Sequence, residues 1–377
     1  MATRVKADLD RWDSKLNDLY NIEQLRPNDE EDYERLVKIS KTSMLYHSVK
    51  WKRLLEAFTE TKPIYIVARM NGEIVGALPA FIKKGKYGSV LNSLPFYGSN
   101  GGPITHPHLN TDETRQLKTE LLSTFKKIGA ENHCITSTLI TSVFDDDIFL
   151  YDDVMRPDFV DSRIEHITEF KPFIVDVDKE LLYGVAEKRC RVAIRKAQKS
   201  GITTRFAEDL RDFATFYELH KSGIETKMGI YKPARFFDLA FKTLTQNRDF
   251  KLLFAELNGE IIAACLLFYH KNMVEYYTPA FKLEYSSLQP LSLLIFEGMK
   301  DAIKNGYTMW NFGGTWHSQQ GVLQFKRAWG PKQSSYYYYI NCYRDSNSIR
   351  SLPAETLLSE YKWFYVIPFS CLKASRK

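Results

Sequence analysis

The sequence predicts a mixed α/β protein made of two related halves in tandem, each a central mixed sheet flanked by helices. Two observations carry this. Asn71-Gly72-Glu73-Ile74 recurs as Asn258-Gly259-Glu260-Ile261, an offset of 187 residues in a chain of 377. Its flanks agree: residues 64–69 correspond to 251–256, and 75–81 to 262–268. The second observation is a stretch near the C-terminus. A strand-like run at 307–312 breaks at Gly313-Gly314, and a short helical segment at 321–330 then sets Lys326 and Arg327 between bulky aromatics. Paired glycines permit positive φ and close approach to the backbone. The alternative is that the glycines end a strand and that Phe325 and Trp329 are core. The junction between the halves falls within 150–180, giving domains of 1–165 and 166–377.

In the first half, residues 1–60 read as helical. Residues 7–19 carry a weak 3.6-residue pattern, and 29–39 gather Tyr33, Leu36, Val37 and Ile39 near one face. Ser48 is a cap for the next helix and Trp51 its anchor, with His47 beside them structural rather than catalytic. Residues 63–69 and 74–82 read as strands joined by a tight turn at Asn71-Gly72. A basic segment at 83–86 leads to a glycine- and proline-rich loop, 91–103. A helix over 111–129 and an apolar β-prone run at 134–140 follow. Asp145-Asp146-Asp147 has the look of a metal cluster, but acid runs are more often solvated turns, and no metal site is expected.

The second half opens with an edge-like strand at 173–177. In the helix after it, Lys188, Arg191, Arg195 and Lys199 recur at helical spacing and form one basic face, and Gly201 suits its C-cap. That face fits phosphates or an RNA end, and equally a solvated helix with cations near its C-terminus. A helix around 209–223 leads to a loop ending at Lys232-Pro233. Beyond the second hairpin come a strand at 273–280 and an amphipathic helix at 290–303, which feeds the glycine-containing stretch. The tail, 336–339 and then 357–377, reads as an alternating strand followed by a helix. Trp363, Phe364, Tyr365 and Phe369 sit there with Lys373, Arg376 and Lys377. An aromatic segment with a basic end suits the surface of an anionic membrane, although packing on the body of the protein is favoured.

Composition bounds the function. Hydrophobic residues at 44% and charged residues at 26% fit a globular protein. A net charge of +6 suits an anionic substrate, is too weak to demand bulk nucleic-acid binding, and is equally explained by solubility. The five cysteines show no CxxC spacing, which argues against a zinc site or redox pair and fits a reducing cytoplasm. No signal pattern is visible in residues 1–32, and no apolar run approaches the roughly 20 residues of a membrane span.

Trp-Asn-Phe-Gly-Gly at 310–314, followed by Gly-Val-Leu-Gln-Phe-Lys-Arg-Ala-Trp-Gly at 321–330, resembles the signature of the FemAB family. These aminoacyl-transferases extend peptidoglycan cross-bridges. The wider group includes acetyltransferase-like proteins found with surface-polysaccharide genes. Asn311 stands where the family usually has Asp. The helix at 187–202, the loop at 91–103 and the Ser48–Trp51 helix start are similar to family segments as well. The resemblance implies two tandem acetyltransferase-like (GNAT) domains. Residues 201–232 leave no room for the long coiled-coil arm of some members.

The implied chemistry is transfer of an aminoacyl or acyl group to an amine of a nucleotide-linked or lipid-linked envelope precursor, from aminoacyl-tRNA. A second reading is an acyl-CoA-dependent N-acyltransferase acting on an amino sugar in surface-polysaccharide synthesis. A third is a catalytically dead duplicate kept as a binding module. An activated ester or thioester needs orientation and charge stabilisation more than a covalent nucleophile. Neither a nucleophile elbow nor a Cys/His pair is recognisable, and no general base can be named. By the resemblance Lys326 is catalytic, placing the donor's 3′ end and stabilising the oxyanion, and Phe325 stacks on a terminal base. Lys232 meets the acceptor diphosphate, Tyr277 lies by the acceptor or acyl group, and Arg191, Arg195, Gly313 and Gly314 complete the binding residues. Neither half has the Q/R-x-x-G-x-G/A pyrophosphate loop of plain acetyl-CoA enzymes. No cofactor is expected beyond the donor, and the location is cytoplasmic, with contact at the inner face of the membrane through the tail. The sequence does not set the oligomeric state.

Overall fold

The computed structural model describes residues 19–96, 100–145, 147–226 and 230–372. Expectations for 7–18, 97–99, Asp146, 227–229, Lys373, Arg376 and Lys377 lie outside the described residues. The chain forms two compact units. Unit 1 runs to Ser162 and resumes at Tyr336, and unit 2 is Arg163–Ser335. The segment after residue 335 therefore belongs with the first unit, whereas the sequence reading assigned it to the second domain.

In chain order, unit 1 contains β1 (Asn21–Gln24), α1 (Glu30–Ile39), α2 (Val49–Thr59), β2 (Lys62–Pro63), β3 (Ile66–Met70), β4 (Glu73–Leu78), β5 (Phe81–Gly85), β6 (Gly88–Asn92) and β7 (Ile104–Thr105). Then come α3 (Thr111–Glu131), β8 (Cys134–Ile140) and α4 (Ile148–Met155). The chain enters unit 2 within β9 (Phe159–Glu169). Unit 2 continues with α5 (Lys188–Lys199), β10 (Thr203–Phe206), α6 (Phe213–Glu225), α7 (Ala234–Thr243), β11 (Phe250–Leu257), β12 (Glu260–His270) and β13 (Met273–Phe281). It ends with α8 (Pro290–Lys304), β14 (Met309–Asn311) and α9 (Gln320–Arg327). The chain leaves within β15 (Lys332–Cys342) and closes unit 1 with α10 (Ser346–Arg350) and α11 (Ala354–Glu360).

Each unit carries the repeated hairpin, and the agreement goes beyond its four signature residues. Both turns put Asn and then Gly at positive φ: 52° and 86° at Asn71-Gly72, 52° and 81° at Asn258-Gly259. This is the backbone that a two-residue hairpin with native twist requires. Both hairpins shift register at the same place, between Ala68 and Arg69 and between Ala255 and Glu256. The preceding strand pairs in the same register, Asn21 opposite Arg69 and Thr203 opposite Glu256. An ion pair crosses the same two strands with its signs exchanged. Arg69 Nε lies 2.7 Å from Glu23 Oε1, and Arg205 Nε lies 2.7 Å from Glu256 Oε1. In each unit the arginine also reaches the aspartate at the N-cap of the helix that follows the outer strand, β1 or β10: Asp29 at 3.0 Å and Asp212 at 2.6 Å.

The sheets differ. Unit 1 has β1-β3-β4-β7 and, separately ordered, β15-β8-β6-β5-β2. Residues 74–82 are two strands rather than one, because Pro79 has no N–H to give a ladder. In unit 2 the order is β10-β11-β12-β13-β14-β9. Helices α5 and α8 cover one face of that sheet, where Cys265, Leu267, Val274, Tyr276, Leu294 and Trp310 form the core. A Cβ at Gly298 of α8 would lie 2.7 Å from the Trp310 ring, so glycine lets the helix seat there. The other face carries α6 and α7, where the Phe237 ring meets Phe216 edge-on and the Phe241 ring stacks on Phe250.

Several local readings hold. Ser48 Oγ accepts from Trp51 N at 3.2 Å and Trp51 is fully buried. Both His47 ring nitrogens meet backbone groups, of Met44 and Gly102, which makes it structural. Ile202 N returns to Ala197 O behind Gly201, at φ 80°, and closes α5. Asp145 is a buried partner of Lys118 (2.7 Å) and Tyr151 (2.6 Å) rather than a solvated turn residue.

Two readings fail. Residues 173–177 are not a strand: Phe173 and Val175 are fully exposed, Ile174 alone of the three packs on the core, and Lys171-Pro172 precede them. The strand that opens unit 2 is β9, which ends at Glu169 before that segment begins. In the tail the helix is α11, and Phe364, Tyr365, Val366 and Ile367 form irregular, buried chain in unit 1. The Phe364 and Tyr365 rings pack in the interior of unit 1. Among the described residues no helix is long and apolar enough to cross a membrane.

Candidate active site

Strands β13 and β14 run parallel for three rungs, ending with Glu275 opposite Asn311. There β14 stops while β13 continues to Phe281, so the two part company at that rung. Trp310 and Phe312 turn into the α8 core, which sends Asn311 to the opposite face. On its other side Asn311 is opposite Ile167 of β9, two residues from Glu165.

A chain of hydrogen bonds starts here. Asn311 Nδ2 donates to Glu165 Oε1 at 2.7 Å, and Asn311 Oδ1 accepts from Gly313 N at 2.7 Å. Gly313, at φ 70°, turns its carbonyl to Lys326 Nζ, which donates to it at 2.7 Å. Lys326 Nζ also donates to Thr315 Oγ1 at 2.7 Å. Thr315 is tied in turn to the backbone of Ile164, next to Glu165. Among the described residues these are the two acceptors of an ammonium that is 8% exposed. It has three N–H groups.

The electrostatics follow from burial. Glu165 is 1% exposed, and its Oε2 has no hydrogen-bond partner among the described residues. Burial drives its carboxyl well above the usual range, and the Asn311 amide and Lys326 charge pull it part of the way back. Burial pushes the Lys326 ammonium down, opposed by the charges of Glu165 and Glu275. A Cβ at Gly313 would stand 3.9 Å from Glu275 Oε1, so Glu275 borders the same turn. Lys232 Nζ lies 4.8 Å from the centre of the Tyr277 ring, and burial pushes it down to about 8 against the pull of Glu275. Tyr277 is the extra residue of a bulge in β13, since Leu266 pairs with Thr278 and Leu267 with Tyr276. Lys232 N donates to His220 Nε2 at 3.1 Å, and burial with the Lys232 charge pushes that imidazole down to about 3, so it is neutral.

The structure thus gathers Lys326, Gly313, Lys232 and Tyr277 around Glu275. Gly314 is exposed and is not among the glycines with positive φ. Phe325 faces elsewhere. With Arg189, Cys190, Gln289, Ser292 and Gln324 it lines a cavity of about 220 Å³. The N-terminus of α8 opens there: Gln289 is in the left-handed region, no side chain among the described residues caps the helix, and its first turn holds no acid. Helix α3, which follows the first hairpin, is sealed instead by a reciprocal cap of Asn110 and Glu113. An open helix N-terminus beside an arginine attracts an anion.

The two arginines of the basic face stand apart from this cavity. Arg191 donates to the carbonyls of Leu182 (3.1 Å) and Ala186 (2.7 Å), and Arg195 to Tyr183 Oη (2.8 Å). Arg189, a residue the pattern passed over, is the one that reaches the cavity, while its Nη2 donates to Gln324 O at 2.5 Å. A larger cavity, about 640 Å³, lies along α6 and the end of β13, and none of the expected residues lines it. Sequence reasoning also missed Glu165, Glu275, Thr315 and His220. Glu165 left one signal, a charge inside the β-prone run at 163–168.

Residues 186–327 match the sequence model of the family described as acetyltransferase (GNAT) domain. Unit 2 carries a GNAT domain. By that match the chain is an acyltransferase. The whole chain is also similar to solved structures at low identity, a likeness of fold. It shares 17% identity and a TM-score of 0.65 with FemX, over 85% of this chain and 97% of that one. With the C-terminal domain of a putative lysylphosphatidylglycerol synthetase from Agrobacterium fabrum the figures are 11% and 0.54, over 88% and 96%. With a tandem GNAT protein from the clavulanic acid biosynthesis pathway they are 12% and 0.52, over 87% and 99%. A comparison with curated protein sequences finds no match.

Proposed function

We propose that the chain transfers an aminoacyl group from aminoacyl-tRNA to an amine of a nucleotide-linked or lipid-linked cell-envelope precursor. The observation that carries this is the Lys326 ammonium, held by Gly313 O and Thr315 Oγ1 beside the parted strands β13 and β14. Two of its N–H groups fix its position and the third is left to donate to the oxygen of a carbonyl under attack. The amine adds to the carbonyl carbon, charge gathers on that oxygen, and the bond to the donor's ester oxygen then breaks, the amine's proton passing through solvent or the substrate to the leaving hydroxyl. One fixed donor of this kind lowers such a barrier by about 3 kcal/mol. Gly313 belongs to the cradle, and Tyr277, raised by its bulge, forms a wall with Lys232 above it. In this reading Lys232 neutralises an acceptor phosphate as a point charge, without the bidentate fork of arginine. Phe325, Arg189 and the α8 N-terminus take the terminal nucleotide and phosphate of the donor.

A cavity of about 220 Å³ suits one nucleotide end. The reading needs no cofactor beyond the donor and places the reaction in the cytoplasm. The second reading, an acyl-CoA-dependent N-acyltransferase acting on an amino sugar, is favoured by the family match itself. The purified protein is incubated with radiolabelled aminoacyl-tRNA or acyl-CoA and candidate amines. Consumption of aminoacyl-tRNA that RNase abolishes is the expected result. Consumption of acyl-CoA that RNase leaves untouched replaces the first reading with the second.

A further inference from the structure

We propose that Glu165 is a positioning residue for acyl transfer: the buried counter-ion that keeps Lys326 an ammonium, acting across Asn311 as a neutral spacer. This rests on the reading of Lys326 given above.

Four features of the site carry it. Lys326 is buried, yet both its hydrogen bonds go to uncharged acceptors, so neither bond supplies a counter-charge. Both acceptors are anchored to the strand that bears Glu165, Gly313 through Asn311 and Thr315 through Ile164. Glu165 is sunk to 1% exposure, and a fully buried carboxyl without a charge partner is costly. Its nearest hydrogen bond is from an amide, which cannot discharge it. The two groups therefore offset each other through a gap filled by the Asn311 and Gly313 amides. A direct contact would tie up the ammonium; the spacer leaves it free to turn to a substrate oxygen.

The charges acting on Lys326 are those of Glu165 from β9 and Glu275 from β13, while Lys326 and its neighbour Arg327 both act on His166 of β9. His166 is pushed down to about 4 by burial and the two cations, so it is neutral near pH 7. Glu165 is joined to Lys326 by a run of hydrogen bonds through Asn311 and Gly313. Removing its charge lowers the proton affinity of Lys326, and the alkaline limb of activity moves to lower pH.

The test reads the charge on Lys326 without turnover. Protein labelled with ¹⁵N at lysine Nζ is titrated from pH 5 to 11, and the Lys326 signal is assigned by its loss in Lys326→Met. In the wild-type chain that signal is expected to show two inflections, one following Glu165. In Glu165→Gln the acidic inflection vanishes and the midpoint falls by about one pH unit, tenfold in the equilibrium. In Glu165→Asp, which keeps the charge, the midpoint returns to within a few tenths of a unit. A single inflection in the wild type, or equal shifts in the Gln and Asp variants, overturns the proposal. Should Glu165→Gln not fold, the wild-type titration still decides. Full transfer activity in Lys326→Met would sink the reading of Lys326 and leave the ion-pair result standing, so the two failures are distinct.

Discussion

Asn311 donates to Glu165 Oε1 at 2.7 Å while its own side-chain oxygen accepts from Gly313 N, so one amide faces a carboxyl with its donor and a backbone amide with its acceptor. An aspartate at 311 keeps the second bond and turns the first into a contact between two carboxylates. Asn311→Asp is therefore expected to destabilise unit 2 by about 1–3 kcal/mol, the cost of a buried group left unsatisfied. The cost depends on pH. Two carboxyls at that distance share a proton, which raises one of them further above its unfolded value. Stability is then intact at pH below the unfolded value near 4 and is lost as pH rises through the raised folded value. Urea midpoints at pH 5 and pH 8 measure this, and a variant equally stable relative to wild type at both would contradict it.

Lys326 separates the enzyme readings from the binding-module reading. Lys326→Ala removes the ammonium and leaves Gly313 O and Thr315 Oγ1 without their donor. The transfer rate is expected to fall by about 10²–10³, with donor binding little changed, because the lost interaction strengthens only as charge develops on the substrate oxygen. Lys326→Arg keeps a cation but brings a planar fork too large for the cradle, and should recover little. Steady-state kcat and KM for both variants, beside their melting temperatures, check this. Cellular function intact in Lys326→Ala favours the duplicate retained for binding.

The fold was legible because the hairpin signature is local. Asn-Gly dictates two positive φ values wherever it lies between strands, and its recurrence at 187 residues exposed the duplication. Lys326, Gly313, Lys232 and Tyr277, which the structure brings together near Glu275, lie within or beside motifs that can be read in the sequence. Glu165 does not, since it lies 146 residues from the asparagine that holds it, and pairing across β9 and β14 leaves no spacing to read. The basic face of α5 shows the opposite limit. Helical spacing brought Arg191 and Arg195 together correctly, but it is blind to the carbonyls of Leu182 and Ala186 that occupy Arg191. The tail was assigned to the wrong domain because the return of β15 to unit 1 is a matter of strand pairing with β8, which sequence order conceals.

The exchanged ion pair allows a test of the duplication within one unit. Arg205 holds Glu256 and Asp212 in unit 2, whereas in unit 1 the arginine is on the opposite strand and holds Glu23 and Asp29. Arg205→Glu alone places like charges together and is expected to cost about 1 kcal/mol, as these groups are partly exposed. Glu256→Arg alone behaves likewise. The double exchange recreates the unit 1 arrangement, with the guanidinium now on β11 and within reach of Asp212, and should return to within about 0.5 kcal/mol of wild type. A double-mutant cycle from denaturant unfolding gives the coupling directly. Additive losses would mean that the two strands do not share geometry to the level of side chains.

The contrast between α8 and α3 leads to the remaining prediction, which concerns the donor. Helix α3 closes its N-terminus with the reciprocal cap of Asn110 and Glu113 and carries Asp112 and Glu113 in its first turn, where they repel an anion. Helix α8 leaves its own uncapped in the cavity where Arg189 and Phe325 meet. If the donor's phosphate is held there, Arg189→Ala removes a charge-assisted hydrogen bond made equally in the ground state and the transition state. KM for the donor is expected to rise about tenfold, near 1.4 kcal/mol, while kcat is nearly unchanged. Ser292→Glu, which puts an acid into the first turn of α8, should weaken the donor more through direct repulsion. Arg195→Ala serves as the control: its guanidinium meets Tyr183 and lies outside the cavity lining, so donor KM should stay within about twofold. Initial rates at varied donor and fixed acceptor measure all three. A rise in KM for Arg195→Ala with none for Arg189→Ala would move the donor from the α8 terminus to the outer face of α5.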